Sequence, residues 1–304
     1  MRLQAREDKT DEVKEPGFMP AKRVVMTTHL LSEKESAEAL GFLGRRPSHT
    51  FGLAGFILNN GIESPYNRGS FYACRGEQGE MVGLALIGHA TLFETESEQA
   101  IEAFAQIAQG CPNVHMFWGE QEKIESFCSY YSAHGLQSGH LCRELLLEQS
   151  SPPEGLEDVA GLRQAAPDDL DAIVPVHALT ALEESGVDPL KTDPEGFRNR
   201  CARRIEQGRT WVWIEGGKVI FKAECQTESP EIVYLEGVWM NPEKRGAGLG
   251  LRCMTQLTRV LLGRTKNICL LVNEENEMAL TFYDRAGYRL KGYYNTIFLR
   301  RQVH

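Results

Sequence analysis

No part of this 304-residue chain has the apolar length needed to span a bilayer. The longest apolar run, around Met81–Gly88 (MVGLALIG), falls far short of the roughly 20 residues a membrane helix requires. The opening segment, MRLQAREDKTDEVKEPGFMP, mixes charges of both signs and has no apolar h-region. It is therefore neither a secretory signal nor an anchor, and a disordered leader over residues 1–22 is expected. Excess positive charge is also missing. The net charge of -9 and pI near 5.5 argue against a broad electrostatic footprint for nucleic acid. The eight cysteines include no C-x-x-C pair, and none stands beside histidine at zinc-ligand spacing. No metal is expected. Most of the cysteines sit inside apolar patterns, where a thiol acts as a small hydrophobe, and they read as reduced thiols of a cytoplasmic protein.

What is present is ordinary globular material: 42% apolar and 25% charged residues. The length suits two domains. A stretch rich in serine, proline and acid, Glu148–Gly161, marks a linker, with bounds set at 150–160. Beyond it lies a short strand at Gly161–Ala165, then helical spacing over Pro167–Gly186. A second helix, Asp193–Gly208, opens on Asp-Pro and closes on glycine. Thr210–Gln226 reads as a hairpin around Gly216-Gly217. A strand at Glu231–Met240, a helix at Leu251–Gly263 and a buried strand at Asn267–Asn273 follow. A helix at Asn276–Gly287 and a strand at Tyr293–Arg300 complete the series.

The first half repeats this order more weakly. It has a hairpin at Gly69–Gly88, a helix at Ser97–Gly110 and a strand at Asn113–Gly119. A helix at Ile124–Gly135 and a strand at Leu141–Glu148 come after. Such self-similarity suggests a duplicated fold of about 130–140 residues per copy, here residues 23–149 and 161–304. The second copy has a glycine loop, RGAGLG, where the first has Phe93–Glu98 (FETESE), which would repel a phosphate.

That loop, within Asn241–Cys253 (NPEKRGAGLGLRC), is the most informative feature. It is not a dinucleotide fingerprint, because Leu251 displaces the third glycine. Nor is it a P-loop, because no lysine follows. Arg245, Gly246, Gly248 and Gly250 form Arg-x-x-Gly-x-Gly between a strand and a helix. Successive amides there would face one hollow at the positive end of a helix dipole, which suits a diphosphate. Gly237 interrupts a β-rich run and marks a bulge or a close backbone approach.

Val238–Gly250 (VWMNPEKRGAGLG) closely resembles the acyl-CoA pyrophosphate loop of the GNAT N-acetyltransferase family. A second motif, Asn-x-x-Ala-x-x-x-Tyr-x-x-x-Gly-aromatic, is filled by Asn276, Ala279, Tyr283, Gly287 and Tyr288. The resemblance covers Gly161–His304; the first half resembles, more weakly, a domain that precedes some GNAT domains. It implies an α/β (α+β) fold with tandem GNAT-like units. Each would have a mixed, mostly antiparallel sheet flanked by helices, with a splayed parallel pair of strands in the C-terminal copy.

The resemblance further implies acetyl-CoA as acyl donor, held by Val238, Trp239, Met240, Arg245, Gly246, Ala247, Gly248, Leu249, Gly250, Asn273, Asn276 and Tyr283. It makes Tyr283 the general acid at the departing sulfur, and it leaves Asn276 open between helix cap and cofactor contact. Glu236, one residue before the glycine of the bulge, is the candidate base, and it reads equally as a solvated strand residue. His177 and Glu183-Glu184 lie where the early helices shape the acceptor pocket, but a solvated face is the favoured reading. The acceptor is a small-molecule or peptide amine, and net acidity favours a cationic one. The competing function is a non-catalytic acyl-CoA sensor or interaction module. The first copy would hold a ligand of its own, or cover the strand edge or acceptor cleft of the second.

Overall fold

The computed structural model describes residues 26–131, 136–151, 153 and 155–301, with the side chains of 136–138, 184, 185, 300 and 301 outside the description. The expected leader, two residues of the linker (Pro152 and Glu154) and the end of the Ile124–Gly135 helix lie outside the described residues.

In chain order the first half carries β1 (Thr27–Leu30), α1 (Ser36–Leu43), α2 (Pro47–Asn60), β2 (Gly69–Arg75), β3 (Met81–Gly88) and β4 (Ala90–Thr95). It continues with α3 (Glu98–Gln109), β5 (Met116–Glu120), α4 (Gln121–Tyr130) and β6 (Leu136–Gln149). The second half follows with β7 (Leu162–Gln164), α5 (Leu170–Ser185), α6 (Pro189–Thr192), α7 (Pro194–Glu206), β8 (Thr210–Glu215) and β9 (Lys218–Glu228). It ends with β10 (Ile232–Met240), α8 (Leu249–Leu262), β11 (Asn267–Asn273), α9 (Glu277–Arg285) and β12 (Arg289–Arg301). Helices α1 and α2 occupy a stretch where the sequence analysis proposes no element. Among the described residues, no helix is long and apolar enough to cross a membrane.

Local chemistry explains the ends of several elements. Pro194 opens α7, and Asp193 Oδ1 accepts from the Gly196 amide at 3.0 Å. The apolar stripe of α8 (Cys253, Met254, Leu257 and Leu261) packs on Val233, Leu235 and Leu270. Strand β11 is buried on both faces. Ile268, Leu270 and Val272 join that cluster, while Cys269 turns to the other face with Phe51 of α2 and Tyr234. The sheet is thus a partition, with α8 and α9 on one side of the β10–β11 pair and α2 on the other.

The strands form one 12-stranded sheet in the order β1-β2-β3-β4-β5-β12-β6-β11-β10-β9-β8-β7. Its centre is an exchange. The last strand of the first half, β6, pairs with β11 of the second, and the last strand of the second, β12, pairs with β5 of the first. The two exchanged strands run antiparallel to each other from Arg289↔Glu148 to Arg301↔Leu136. Each half therefore borrows a strand from the other.

Each half also contains a parallel pair that parts. Strands β4 and β5 pair only at Ala90↔Met116 and Thr91↔Phe117. Beyond that point the gap is stitched by charge. Arg46 reaches Glu94 on β4 at 2.9 Å and Glu120 at the end of β5 at 2.8 Å, and Lys123 reaches Glu94 at 3.0 Å and Glu120 at 2.8 Å. At the α3 N-terminus, Ser97 Oγ accepts from the Ala100 amide at 3.4 Å, and Glu98 stands in the first turn. The first copy thus offers neither an open wedge nor an uncapped, charge-free helix start.

Burial opposes ionisation of Glu120, but hydrogen bonds from Arg46 and Lys123 outweigh it and bring its pKa down to about 2 from an ordinary 4.5. A depressed folded-state pKa contributes stability that is present above the unfolded value and lost as pH falls through the folded one. Glu120→Gln should therefore lower unfolding free energy at pH 7 by on the order of 2 kcal/mol. It should also flatten the decline in stability between roughly pH 4.5 and 2. Equal pH slopes for variant and wild type in denaturant titrations would remove Glu120 from this role.

Candidate active site

The site begins with a backbone irregularity. Strand β10 pairs with β9 at Glu236↔Glu224 and next at Trp239↔Lys222, so Gly237 and Val238 together face one residue of β9. Gly237 takes φ +55, a left-handed conformation that side-chain-bearing residues resist, and a Cβ there would also meet Lys222 Nζ at 3.0 Å. Lys222 secures the bulge by donating to the Gly237 carbonyl at 3.3 Å.

On its other edge β10 meets β11 in parallel only at Ile232↔Asn267, Val233↔Ile268 and Tyr234↔Cys269. Each strand then keeps its outer partner, β10 with β9 as far as Met240↔Phe221 and β11 with β6 as far as Asn273↔Glu144. The wedge between them is edged by main-chain groups that no neighbouring strand takes up. Val238 and Met240 lie along it and pack partly on the α8 cluster, while Trp239 is buried.

The loop after β10 is tied to that strand, since Arg245 Nε donates to the Met240 carbonyl at 3.1 Å. Gly246 and Gly248 adopt φ +79 and +74 with open space around them. Their positive φ, rather than crowding, is what calls for glycine. Gly250 lies in the first turn of α8, and a Cβ there would make only ordinary contacts. Among the described residues, the amides of 246–251 donate to no acceptor of the protein. Gly248 caps α8 without a side chain, and no acidic residue stands in the first turn. Six successive donors, including those of Ala247 and Leu249, thus face solvent at the positive end of a helix, which is the physical requirement for an anion.

Across the wedge, Asn273 Oδ1 accepts from the Glu275 amide at 2.8 Å, and Asn276 Oδ1 caps α9 through the Ala279 amide at 3.0 Å. Tyr283 is buried on α9 against Phe282 and Tyr288, in the same cluster as Leu270 and Val272.

On the opposite face lies a web of charge. Lys222 is fully buried, and its Nζ is 3.3 Å from Glu224 Oε1. His177 Nδ1 is 2.7 Å from the same oxygen, and Arg204 joins Glu224 to Glu236, the latter at 3.0 Å. Burial works against the Glu224 charge, but Lys222, His177 and Arg204 hold its carboxyl well below the usual carboxylate range. Burial equally opposes the Arg204 charge, and Glu236 and Glu224 outweigh it. His177 therefore lies in this web rather than on a solvated face; Glu183 is exposed, and the Glu184 side chain is outside the described residues.

Beside the web opens a cavity of about 340 Å³ between the two halves. Its walls include Phe56 and Asn59 of α2, Tyr234 and Glu236 of β10, Leu271 of β11 and Glu144 of β6. The α2 helix sits close: a Cβ at Gly55 would collide with Thr227 Oγ1, and Thr227 Oγ1 donates to the Phe51 carbonyl at 3.1 Å. The structure thus brings Glu236 to a cavity at the mouth of the wedge, with Tyr283 on the far side of the sheet.

Sequence reasoning missed Glu144 and the arginines of α7 and the following turn. A glutamate within the apolar run LCRELLLE was the available signal for Glu144. Its burial raises its pKa, and Thr296 Oγ1 donates to it at 2.8 Å.

Residues 175–288 match the model of the acetyltransferase (GNAT) family. The C-terminal half carries a GNAT domain. The whole chain is also similar in fold to solved GNAT proteins, one of them a tandem protein. A GNAT-family acetyltransferase from Colwellia psychrerythraea has a TM-score of 0.59 at 14% identity, over 91% of this chain and 100% of that one. A GCN5-related N-acetyltransferase from Sphaerobacter thermophilus has a TM-score of 0.58 at 12% identity, over 93% and 97%. A tandem GNAT protein from the clavulanic acid biosynthesis pathway has a TM-score of 0.56 at 10% identity, over 92% and 99%. At these identities the likeness concerns the fold. No curated protein matches the chain by sequence. The family match supports acetyl transfer as the general class of chemistry.

Glu224→Gln would leave Lys222 buried without an ionised partner, a change that typically costs about 3–5 kcal/mol. The double variant Lys222→Met, Glu224→Leu should recover most of that loss. If urea titration of the single variant gave an unchanged midpoint, the web would not be what holds the bulge.

Proposed function

We propose that the protein is an acetyl-CoA-dependent N-acetyltransferase. It transfers the acetyl group to a primary amine, of a small molecule or a peptide, by direct attack in a ternary complex. The observation that carries this reading is the run of uncommitted amides at 246–251, set at the end of a parted strand pair. The donor's diphosphate takes those amides, with Arg245 holding the loop. Its extended arm pairs with the β10 edge at Val238 and Met240 and runs through the wedge, past Asn273 and Asn276. The thioester then arrives between the α9 face, where Tyr283 stands, and the cavity lined by Glu236.

The roles follow from the proton balance. An ammonium acceptor first gives one proton to Glu236, directly or through water. The free amine nitrogen attacks the thioester carbon, and a main-chain amide near the bulge stabilises the oxyanion. Collapse breaks the C–S bond. The thiolate takes the Tyr283 proton, the nitrogen's second proton passes through water to the Tyr283 phenolate, and Glu236 releases the first to solvent. The net products are N-acetylamine, coenzyme A and one proton.

Direct attack is supported by the thiols. Burial pushes Cys225 and Cys253 up to about 12 and Cys269 well above its usual value, and among the described residues no cysteine lines the cavity. Thiols so perturbed are poor nucleophiles near neutral pH. All eight cysteines are free, which supports a reducing, cytoplasmic setting.

Gly248→Trp places a bulky residue at φ +74, on the anion-facing turn. Calorimetry should show acetyl-CoA affinity falling by about 30-fold or more. Affinity equal to wild type would contradict the assigned loop. Tyr283→Phe should lower kcat by about 10- to 1,000-fold with little change in acetyl-CoA Kd. An unchanged kcat would remove Tyr283 as the acid.

A further inference from the structure

The cavity is electrically lopsided in a way the whole chain is not. Arg203, Arg204 and Arg209 all line it. Arg204 is committed to Glu224 and Glu236. The other two are not. Among the described residues, no carboxylate lies within 4.0 Å of Arg203 or Arg209. The Arg203 guanidinium rests 5.5 Å above the Tyr66 ring, and Arg209 Nη1 donates to the Gln226 carbonyl at 3.3 Å. A guanidinium has five N–H donors in a planar fork, so most of those on Arg209 stay uncommitted. Burial lowers the Arg209 pKa, and the charge of Glu228, which lies beyond ion-pair distance, offsets that only in part.

The cavity also holds acceptors with room to spare. The Glu144 carboxyl, contributed by the exchanged strand β6, receives the Thr296 hydroxyl but, among the described residues, has no cation within salt-bridge distance. Asn59 Nδ2 donates to the Gln226 carbonyl at 3.1 Å, while its Oδ1 is buried with no hydrogen-bond partner among the described residues. One cavity thus carries uncommitted guanidinium donors together with uncommitted carboxyl and amide oxygens. Its volume of about 340 Å³ is at the small end for ligand sites and fits a metabolite rather than a folded partner.

We infer that the acceptor is an amine that also bears a carboxylate, a molecule of the amino-acid class. Its carboxylate is held by Arg203 and Arg209, and its ammonium faces Glu144, Glu236 and Asn59 Oδ1. This inference rests on the acetyltransferase reading and deepens it. It reverses the preference for a plain cationic acceptor drawn from net charge, because the field inside a cavity is set by the few charges in its walls. The reaction balance is unchanged, since the acceptor's carboxylate takes no part in bond making.

The test uses the full chain with acetyl-CoA and reads coenzyme A release. Free amino acids are compared with their decarboxylated amines and their carboxamides, alongside spermidine and an aminoglycoside. At least one amino acid should exceed its decarboxylated amine by about 100-fold or more in kcat/KM. For that acceptor Arg209→Gln should raise KM by about 10-fold or more, with acetyl-CoA Kd by calorimetry unmoved. Arg203→Gln, at an exposed rim position, is the parallel variant should Arg209→Gln fold poorly. Turnover indifferent to the carboxylate, or confined to spermidine or the aminoglycoside, overturns the inference. So does turnover of no amino acid while acetyl-CoA still binds, or an acceptor KM unmoved in the folded arginine variants. Failure of the wild type to bind acetyl-CoA has a different meaning: it removes the acetyltransferase reading itself.

Discussion

Everything at this site depends on two strands that stop pairing. Strands β10 and β11 share three register positions and then diverge, although both continue as strands against other neighbours. Parting a sheet away from its edges leaves peptide groups without partners, which a fold tolerates only where something else satisfies them. The divergence is enforced from behind. Gly237 supplies the left-handed residue of a bulge, and a fully buried lysine holds the bulge carbonyl. That lysine is tolerable only because Glu224 stands beside it, and Glu224 is in turn shared with His177 and Arg204. The wedge, its bulge and the charge web form one physical unit.

The first half contains the same divergence with the opposite outcome. Arg46 and Lys123 bridge Glu94 and Glu120 across the parted strands, and the helix after β4 begins with its own serine cap. A duplicated architecture has thus become one open wedge and one stitched wedge. The stitched half still serves the open one. Its helix α2 forms one wall of the cavity, and its last strand places Glu144 there. The strand exchange at the sheet centre makes this possible, because it puts each half's final strand inside the other's sheet.

Much of this was legible before any coordinates. Asp193-Pro194 at the start of α7, the Gly216-Gly217 turn between β8 and β9, and the bounds of β11 follow from local rules. So do Gly246 and Gly248 of the 245–250 loop, which take positive φ, whereas Gly250 sits in an ordinary helical turn. The α1–α2 region was not legible. Phe51 and Ile57 of α2 are core residues, but Gly52, Gly55 and buried polar residues interrupt the apolar pattern, because this helix packs on the sheet through close approach. His177 looked like a solvated residue because its partner Glu224 is 47 positions away and can be found only in space.

The sequence by itself determined the repeating order of elements, the anion-ready loop and the special residue inside β10. These depend on φ preferences, capping and apolar spacing, which act over a few residues. Only the tertiary structure decided which strands pair at the centre, which of the two wedges stays open and which charges meet in the cavity. Pairing register and ion-pair partners are set by residues distant in sequence. Their energies appear only once burial has removed the water that would otherwise satisfy them.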